Sequence, residues 1–332
     1  MMYKPIARWP RLAYLIVLSV ALTIAPVLAA ADDASPPVAA TVNGNPVFVA
    51  EMGAVLQQVK QVQGAVAAQS AQTQAELLKQ LVQRRLVVDL LTREGGYYTE
   101  EEVQKALENI TAQAEEQKVT LEELAAGQGV SLDAWRAQVI WQLAWGRYVE
   151  RNLTDKLQAY FEAHKKDFDG TEVRASHILL RPERSGVPKT QPMERAEKIR
   201  EAIEVGKISF EDAAQRFSAG PSGAKGGDLG FFPRYGVMTE GFSKAAFELE
   251  TGEVSEPILT PFGIHLIRVT EIKPGRKQWT EVLDQMRMPA SMEMFENLAD
   301  KEAETATVEY TGKLPYLDPE TGELVTPSGD AN

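Results

Sequence analysis

Between about residue 49 and residue 168 the apolar positions recur at helical spacing, whereas from 173 to 272 they alternate in short strand-like runs with helical stretches between them. In the first region Met52, Val55, Leu56, Val59 and Val62 recur with helical period. Leu77 to Leu91 is densely apolar around Arg84, Arg85 and Asp89, which predicts a mostly buried helix stopped by Gly95-Gly96. Thr99-Glu-Glu-Glu102 has the spacing of a capping box, and Thr120 opens a short helix. Ser131 caps a long helix carrying Trp135, Trp141 and Trp145, and a last helix is expected near Asp155 to Phe168. Ahead of these, Thr41-Val-Asn-Gly-Asn-Pro-Val47 reads as two short strands about an Asn-Gly turn.

In the second region Val173, Ala175, His177 and Leu179 fall on one face of a strand, and Arg174, Ser176, Ile178 and Leu180 on the other. Pro192 to Val205 is helical, with Ala196, Ile199 and Ile203 inward, and Ser209-Phe-Glu-Asp212 caps the next helix. Ser243 is expected to start a short helix through Phe247, and Gly263 to Ile272 is a second alternating strand. A helix from Thr280 to about Ala303 follows Pro274-Gly275, and the Pro-, Gly- and Thr-rich tail from Thr311 is expected to be poorly ordered at its end.

Composition adds compartment and charge. With 332 residues, 44% hydrophobic and 25% charged, the chain has room for two globular domains. Lys4, Arg8 and Arg11 precede an apolar run from Leu12 to Val27, and Ala29-Ala30-Ala31 follows, the build of a cleavable secretory signal over residues 1–31. The alternative is a retained N-terminal membrane anchor; cleavage is the expectation, with no stable membrane insertion afterwards. There is no cysteine, so neither a disulfide nor a lipid-attachment site is available. Beyond that segment stand 32 Lys+Arg against 47 Asp+Glu, a formal charge of −15, which argues against nucleic acid or an anionic membrane surface as partner.

Candidate chemistry is sparse. Of three histidines, His177 and His265 fall on the two strands, each on a face with apolar neighbours, where a hydrogen-bonded core histidine is the ordinary outcome. No third ligand at metal-site spacing accompanies them, so neither a metal nor a cofactor is expected. Ser218 to Val237 holds 6 glycines in 20 residues, but Gly220-Pro-Ser-Gly-Ala-Lys225 lacks the Gly-Lys-Ser/Thr ending of a phosphate loop, and the glycines lack dinucleotide spacing. Met238, Phe242 and Phe247 are equally readable as plain core.

Four pieces in order carry a resemblance: Val173-Arg-Ala-Ser-His177-Ile-Leu-Leu180, Gly226-Gly-Asp-Leu-Gly-Phe-Phe232, Met238-Thr-Glu-Gly-Phe242 and Phe262-Gly-Ile-His265-Leu-Ile-Arg-Val269. At these spacings the block 173–272 resembles the parvulin family of peptidyl-prolyl cis/trans isomerases. The resemblance implies an α+β fold, with an antiparallel sheet flanked by helices, attached here to a mostly helical N-terminal chaperone-like domain. It implies that His177 and His265 lie side by side beneath a proline pocket walled by Leu229, Met238 and Phe242, with Phe262 at the rim. It implies substrates of unfolded or extended X-Pro-containing polypeptide. Where many parvulins have Cys or Asp after Phe217-Ser218, this chain has Gly220, leaving Ser222 as the nearest polar substitute for the catalytic group. Arg181 and Arg184, interrupted by Pro182 and Glu183, are not the basic cluster of phosphate-directed parvulins.

The layout as a whole is similar to periplasmic folding factors of the SurA/PrsA/PpiD-like group. The expected organisation is a signal at 1–31, a helical domain at 38–168, the isomerase at 173–272, and a C-terminal helix and tail at 276–332, which in that group often packs on the N-terminal helices. Trp141 and Trp145, four apart, are either part of a client-binding surface or core. The expected function is an isomerase and chaperone for secreted or outer-membrane proteins, acting in the periplasm or outside the cell; the alternative is a peptide-binding module whose parvulin block is weakly active or inactive. Oligomeric state is not legible.

Overall fold

A computed structural model describes residues 37–63, 68–116, 118–127, 131–181 and 190–327. The expected signal segment and Arg184 lie outside the described residues. In chain order the elements are β1 (Val38–Val42), β2 (Asn45–Phe48), α1 (Val49–Gln63), α2 (Ala71–Glu94), α3 (Glu100–Glu116), α4 (Leu121–Gly127), α5 (Leu132–Ala163) and the single turn α6 (Lys165–Phe168). Then come β3 (Glu172–Leu180), α7 (Thr190–Glu204), α8 (Phe210–Phe217), β4 (Asp228–Pro233), α9 (Glu240–Glu248), β5 (Ile258–Thr260) and β6 (Gly263–Lys273). The chain continues with α10 (Leu283–Ala303), β7 (Val308–Tyr310), β8 (Tyr316–Leu317) and β9 (Leu324–Val325). They sort into two units, one running to Asp155 and resuming at Pro289, the other Lys156–Met288.

In the first unit β1 and β2 form the expected hairpin. Both turn residues are left-handed, with φ 51° at Asn43 and 80° at Gly44, the conformation an Asn-Gly pair adopts at least cost. β1 also pairs with β7, giving the order β2-β1-β7. Val42, Val47, Met52, Val55, Leu78 and Leu81 form a core with them. The Thr99 and Thr120 boxes are both closed: Thr99 N–H donates to Glu102 and Glu102 N–H to Thr99 Oγ1, with the same exchange between Thr120 and Glu123.

One expected helix boundary gives way. The helix at 131 and the one near 155–168 are one continuous helix to Ala163, because Leu153, Leu157, Tyr160 and Phe161 extend its buried stripe. The C-terminal tail forms the β8–β9 hairpin, and Leu314 and Tyr316 pack against the first unit's core; the end of the tail, 328–332, where poor order is expected, lies outside the described residues. Trp141 and Trp145 are core, 1% and 7% exposed, stacked on each other at 5.5 Å with Phe295 edge-on to both.

The second unit is an antiparallel sheet of order β4-β3-β6-β5. Alternation on the two central strands sends Ile178, Leu180, Ile264 and Leu266 to one face, covered by Ala196 and Ile199 of α7 and Phe210 of α8. Val173, Ala175, Ile267 and Val269 face the other way, under Phe242, Ala246 and Phe247 of α9. α9 begins at Glu240 rather than at Ser243, whose hydroxyl instead donates to the Arg234 carbonyl from inside the helix.

Candidate functional site

Strand register decides which histidine meets which. His177 pairs with Ile267, and Leu179 with His265, so the two histidines are diagonal neighbours on the α9 face. Their ring centroids are 5.3 Å apart and the two Nδ1 atoms 3.1 Å apart, a hydrogen bond. The far side of His265 is held by Thr260, the last residue of β5, with Nε2 to Oγ1 at 2.9 Å. Phe242 stands edge-on to both rings, with centroids 5.8 and 5.3 Å away.

One proton must lie between the two Nδ1 atoms, so one ring donates and the other accepts. If His177 donates, His265 carries its proton on Nε2 toward Thr260 and His177 Nε2 is a bare acceptor. If His265 donates, Thr260 turns its hydroxyl to His265 and His177 Nε2 becomes a donor. Both arrangements have neutral rings. Burial pushes His177 below its ordinary value. Burial, and then the charges of His177 and Arg181, pushes His265 to about 4. The free end of the chain is His177 Nε2, buried without a partner.

Gly220 explains that free end. A Cβ at residue 220 would lie 3.1 Å from His177 Nε2, so the position where many parvulins carry Cys or Asp opens directly on this nitrogen and offers nothing to it. Ser218 Oγ holds the loop there, accepting from Leu179 N–H at 3.1 Å and Gly220 N–H at 3.2 Å. Gly227 has φ +84°, and a Cβ there would meet the His177 carbonyl oxygen at 2.4 Å, so only glycine permits the close approach in which His177 N–H donates to Gly227 O. Ser222 precedes the short 3-10 turn Gly223–Lys225; its hydroxyl is buried without a partner, and it makes no hydrogen bond to the histidines.

Asp228 accepts from Gly230 N–H, as its place in a tight turn predicts, and also receives the Arg174 guanidinium through both oxygens. That pair holds the carboxyl below its ordinary value, Arg174 first and Gly230 N–H next. Leu229 and Met238 are half-buried against the same apolar cluster as Phe242. Phe262, 59% exposed, stands outside that cluster on the turn between β5 and β6. Among the described residues no three His, Asp or Glu converge as a metal site.

Sequence reasoning missed Thr260, Ser218 and Arg234. Thr260 was findable, since a two-residue turn at Pro261-Phe262 puts it opposite Gly263 and near His265. Arg234 was not, because its partners are distant: at 3% exposure it forks onto Glu240 at 2.7 and 3.0 Å and reaches Asp167 at 3.4 Å, fastening the loop that carries Met238. No local pattern announces such an anchor.

Residues 158–273 match the PPIC-type PPIASE domain. The foldase protein PrsA of Bacillus subtilis is 38% identical over 142 residues, 42% of this chain and 43% of its own. Chaperone SurA of Bordetella parapertussis is 35% identical over 130 residues, 39% of this chain and 24% of its own. The chain thus spans about half or less of these relatives' lengths. The crystal structure of the peptidylprolyl isomerase PrsA from Bacillus anthracis is 25% identical, covers 69% of this chain and 96% of its own, and gives a TM-score of 0.36, too low to carry a structural argument. Residues 158–273 are thus a PPIC-type, parvulin-like domain, in a chain similar to PrsA foldases.

Proposed function

We propose that this chain is a folding factor that isomerises X–Pro bonds in extended polypeptide by non-covalent catalysis. The observation that carries this is the neutral His177–His265 pair, bonded Nδ1 to Nδ1 under the edge of Phe242. The barrier to rotation is amide resonance, about 18–20 kcal/mol, so no proton transfer to substrate and no covalent step is needed. A prolyl ring offers only hydrocarbon to grip, and Leu229, Met238 and Phe242 offer hydrocarbon in return. Excluding water there strengthens nearby dipoles on the twisted amide, and lowering the barrier by about 5 kcal/mol gives several thousandfold acceleration. Phe262 is assigned to the rim and Ser222 to the polar surroundings of the carbonyl. The basic, apolar, small-residue order of residues 1–31 supports action in the periplasm or outside the cell. The test is catalysed exchange of an Ala-Pro or Leu-Pro peptide by the intact chain, followed by NMR; the expected result is exchange far above the uncatalysed rate of tens to hundreds of seconds.

A second reading has its own observation. Gly220 leaves His177 Nε2 without a side-chain partner, which favours a domain that grips proline peptides but turns them over slowly. Peptide binding without catalysed exchange, with catalysis appearing in Gly220→Cys, is the outcome that selects it.

A further inference from the structure

Arg84 lies in α2, among the buried Leu77, Leu78, Leu81, Leu86 and Val87, and is only 5% exposed. A guanidinium so placed ordinarily has a carboxylate against it, because uncompensated burial of charge is costly. This one has none: among the described residues no carboxylate lies within 4.0 Å of it and none of its N–H groups makes a hydrogen bond. It lies over the Trp141 ring, 5.3 Å from Cζ to centroid. Burial brings it down to about 10, with the charge of Glu51 opposing, so it remains a cation at neutral pH.

Arg84 lines a cavity of about 300 Å³. Leu81, Val88, Ile140 and Phe48 supply apolar wall, and Tyr98, bonded to Thr92 at 3.0 Å, stands among the polar lining groups. Three acids also line it and three bases, so net charge does not choose the ligand. Engagement does. Glu51 accepts Phe48 N–H at 2.9 Å, Asp89 accepts the Asn45 amide at 3.1 Å, and Arg136 Nη2 donates to both Glu100 oxygens at 2.6 and 2.7 Å. Of the three bases Arg84 is the buried one, and among the described residues it makes no hydrogen bond.

We propose that this cavity binds the terminal carboxylate of a polypeptide ending in an apolar residue, the carboxylate on the Arg84 guanidinium and the last side chain against Leu81, Val88 and Ile140. A planar fork of donors matches a carboxylate through two parallel hydrogen bonds, and a lone cation in an apolar wall fits an acid on a hydrocarbon stem. The cavity is at the small end of ligand pockets, suiting a chain end better than a folded surface. That the carrier is polypeptide rests on the folding-factor reading; the carboxylate chemistry does not.

The test is calorimetry on the intact chain with three acetylated peptides: Ser-Gly-Ala-Leu with a free carboxyl end, the same peptide amidated, and amidated Ser-Glu-Ala-Leu. The free acid is expected to bind at least tenfold tighter than its amide. Arg84→Met, which keeps the apolar stem, is expected to abolish that difference, and Arg84→Lys to retain part of it. Equal binding of acid and amide to the natural chain, or an acid preference that survives in a folded Arg84→Met, overturns the proposal, and the first comparison needs no variant. Arg84-dependent binding of the amidated glutamate peptide moves the site to side-chain carboxylates and overturns the terminal assignment. All three readings are blind to isomerisation, so a chain without that activity but with the acid preference leaves the inference intact.

Discussion

The histidine pair of one unit and Arg84 of the other face the same desolvation and meet it differently. His177 and His265 titrate within reach of neutral pH, so burial discharges them, and two neutral rings then satisfy each other and Thr260. Arginine cannot discharge, so Arg84 keeps its charge and rests on the face of Trp141. The first solution makes a site whose polarity can rearrange by moving protons along a chain. The second makes a fixed charge with no carboxylate against it among the described residues. A twisted, uncharged amide asks for the former; an anion asks for the latter.

The largest effect that tests this contrast is expected from Gly227→Ala. Its Cβ would collide with the His177 carbonyl in a left-handed conformation, so the loop must leave β3. Denaturant unfolding should show a loss of about 3 kcal/mol or more, with isomerisation lost alongside. Wild-type stability would mean that the loop does not anchor the pair.

A pH titration comes next. Because folding depresses His265 from its ordinary 6.5 to about 4, the unfolded chain takes up a proton over that window and the native one does not. Stability contributed by the neutral ring is therefore complete above about 6.5, falls as pH drops, and is fully lost below about 4. The fall should approach about 2 kcal/mol after allowing for partial screening. His265→Leu should flatten that part of the curve; an unchanged slope would contradict neutral burial.

Arg84→Met is expected to do the least to stability, leaving it unchanged or raising it by about 1 kcal/mol, since an unpartnered buried charge is replaced by packing. A loss of several kcal/mol by thermal or denaturant unfolding would show that Arg84 is a structural anchor and break the comparison.

The two regions also differ in how they could be read from sequence. His177, His265 and Phe242 were legible through the resemblance that their motifs carry, the histidines on two alternating strands and Phe242 on α9; strand adjacency brings the two imidazoles together. The Asn43-Gly44 turn and the Thr99 box were legible because their chemistry is local. Arg84 looked like a charge interrupting an apolar helix, and only three-dimensional neighbours show that it lacks a partner. Arg234 was hidden for the reverse reason, its partners Asp167 and Glu240 being set by the fold. The break expected between two helices near residue 155 failed because polar surface residues there interrupt the pattern without interrupting the buried stripe.

The most direct test of the account is kcat/KM on an Ala-Pro peptide for three intact chains: natural, Phe242→Ala and His177→Ala. Folding is checked by circular dichroism, since truncating Phe242 costs about 3–5 kcal/mol. Catalysis by environment predicts that folded Phe242→Ala loses more activity than folded His177→Ala, because the aromatic wall grips proline and excludes water while the histidine network can partly reorganise through Thr260. A folded His177→Ala chain without activity, beside a near-normal Phe242→Ala, would contradict the account and assign direct chemistry to the imidazole.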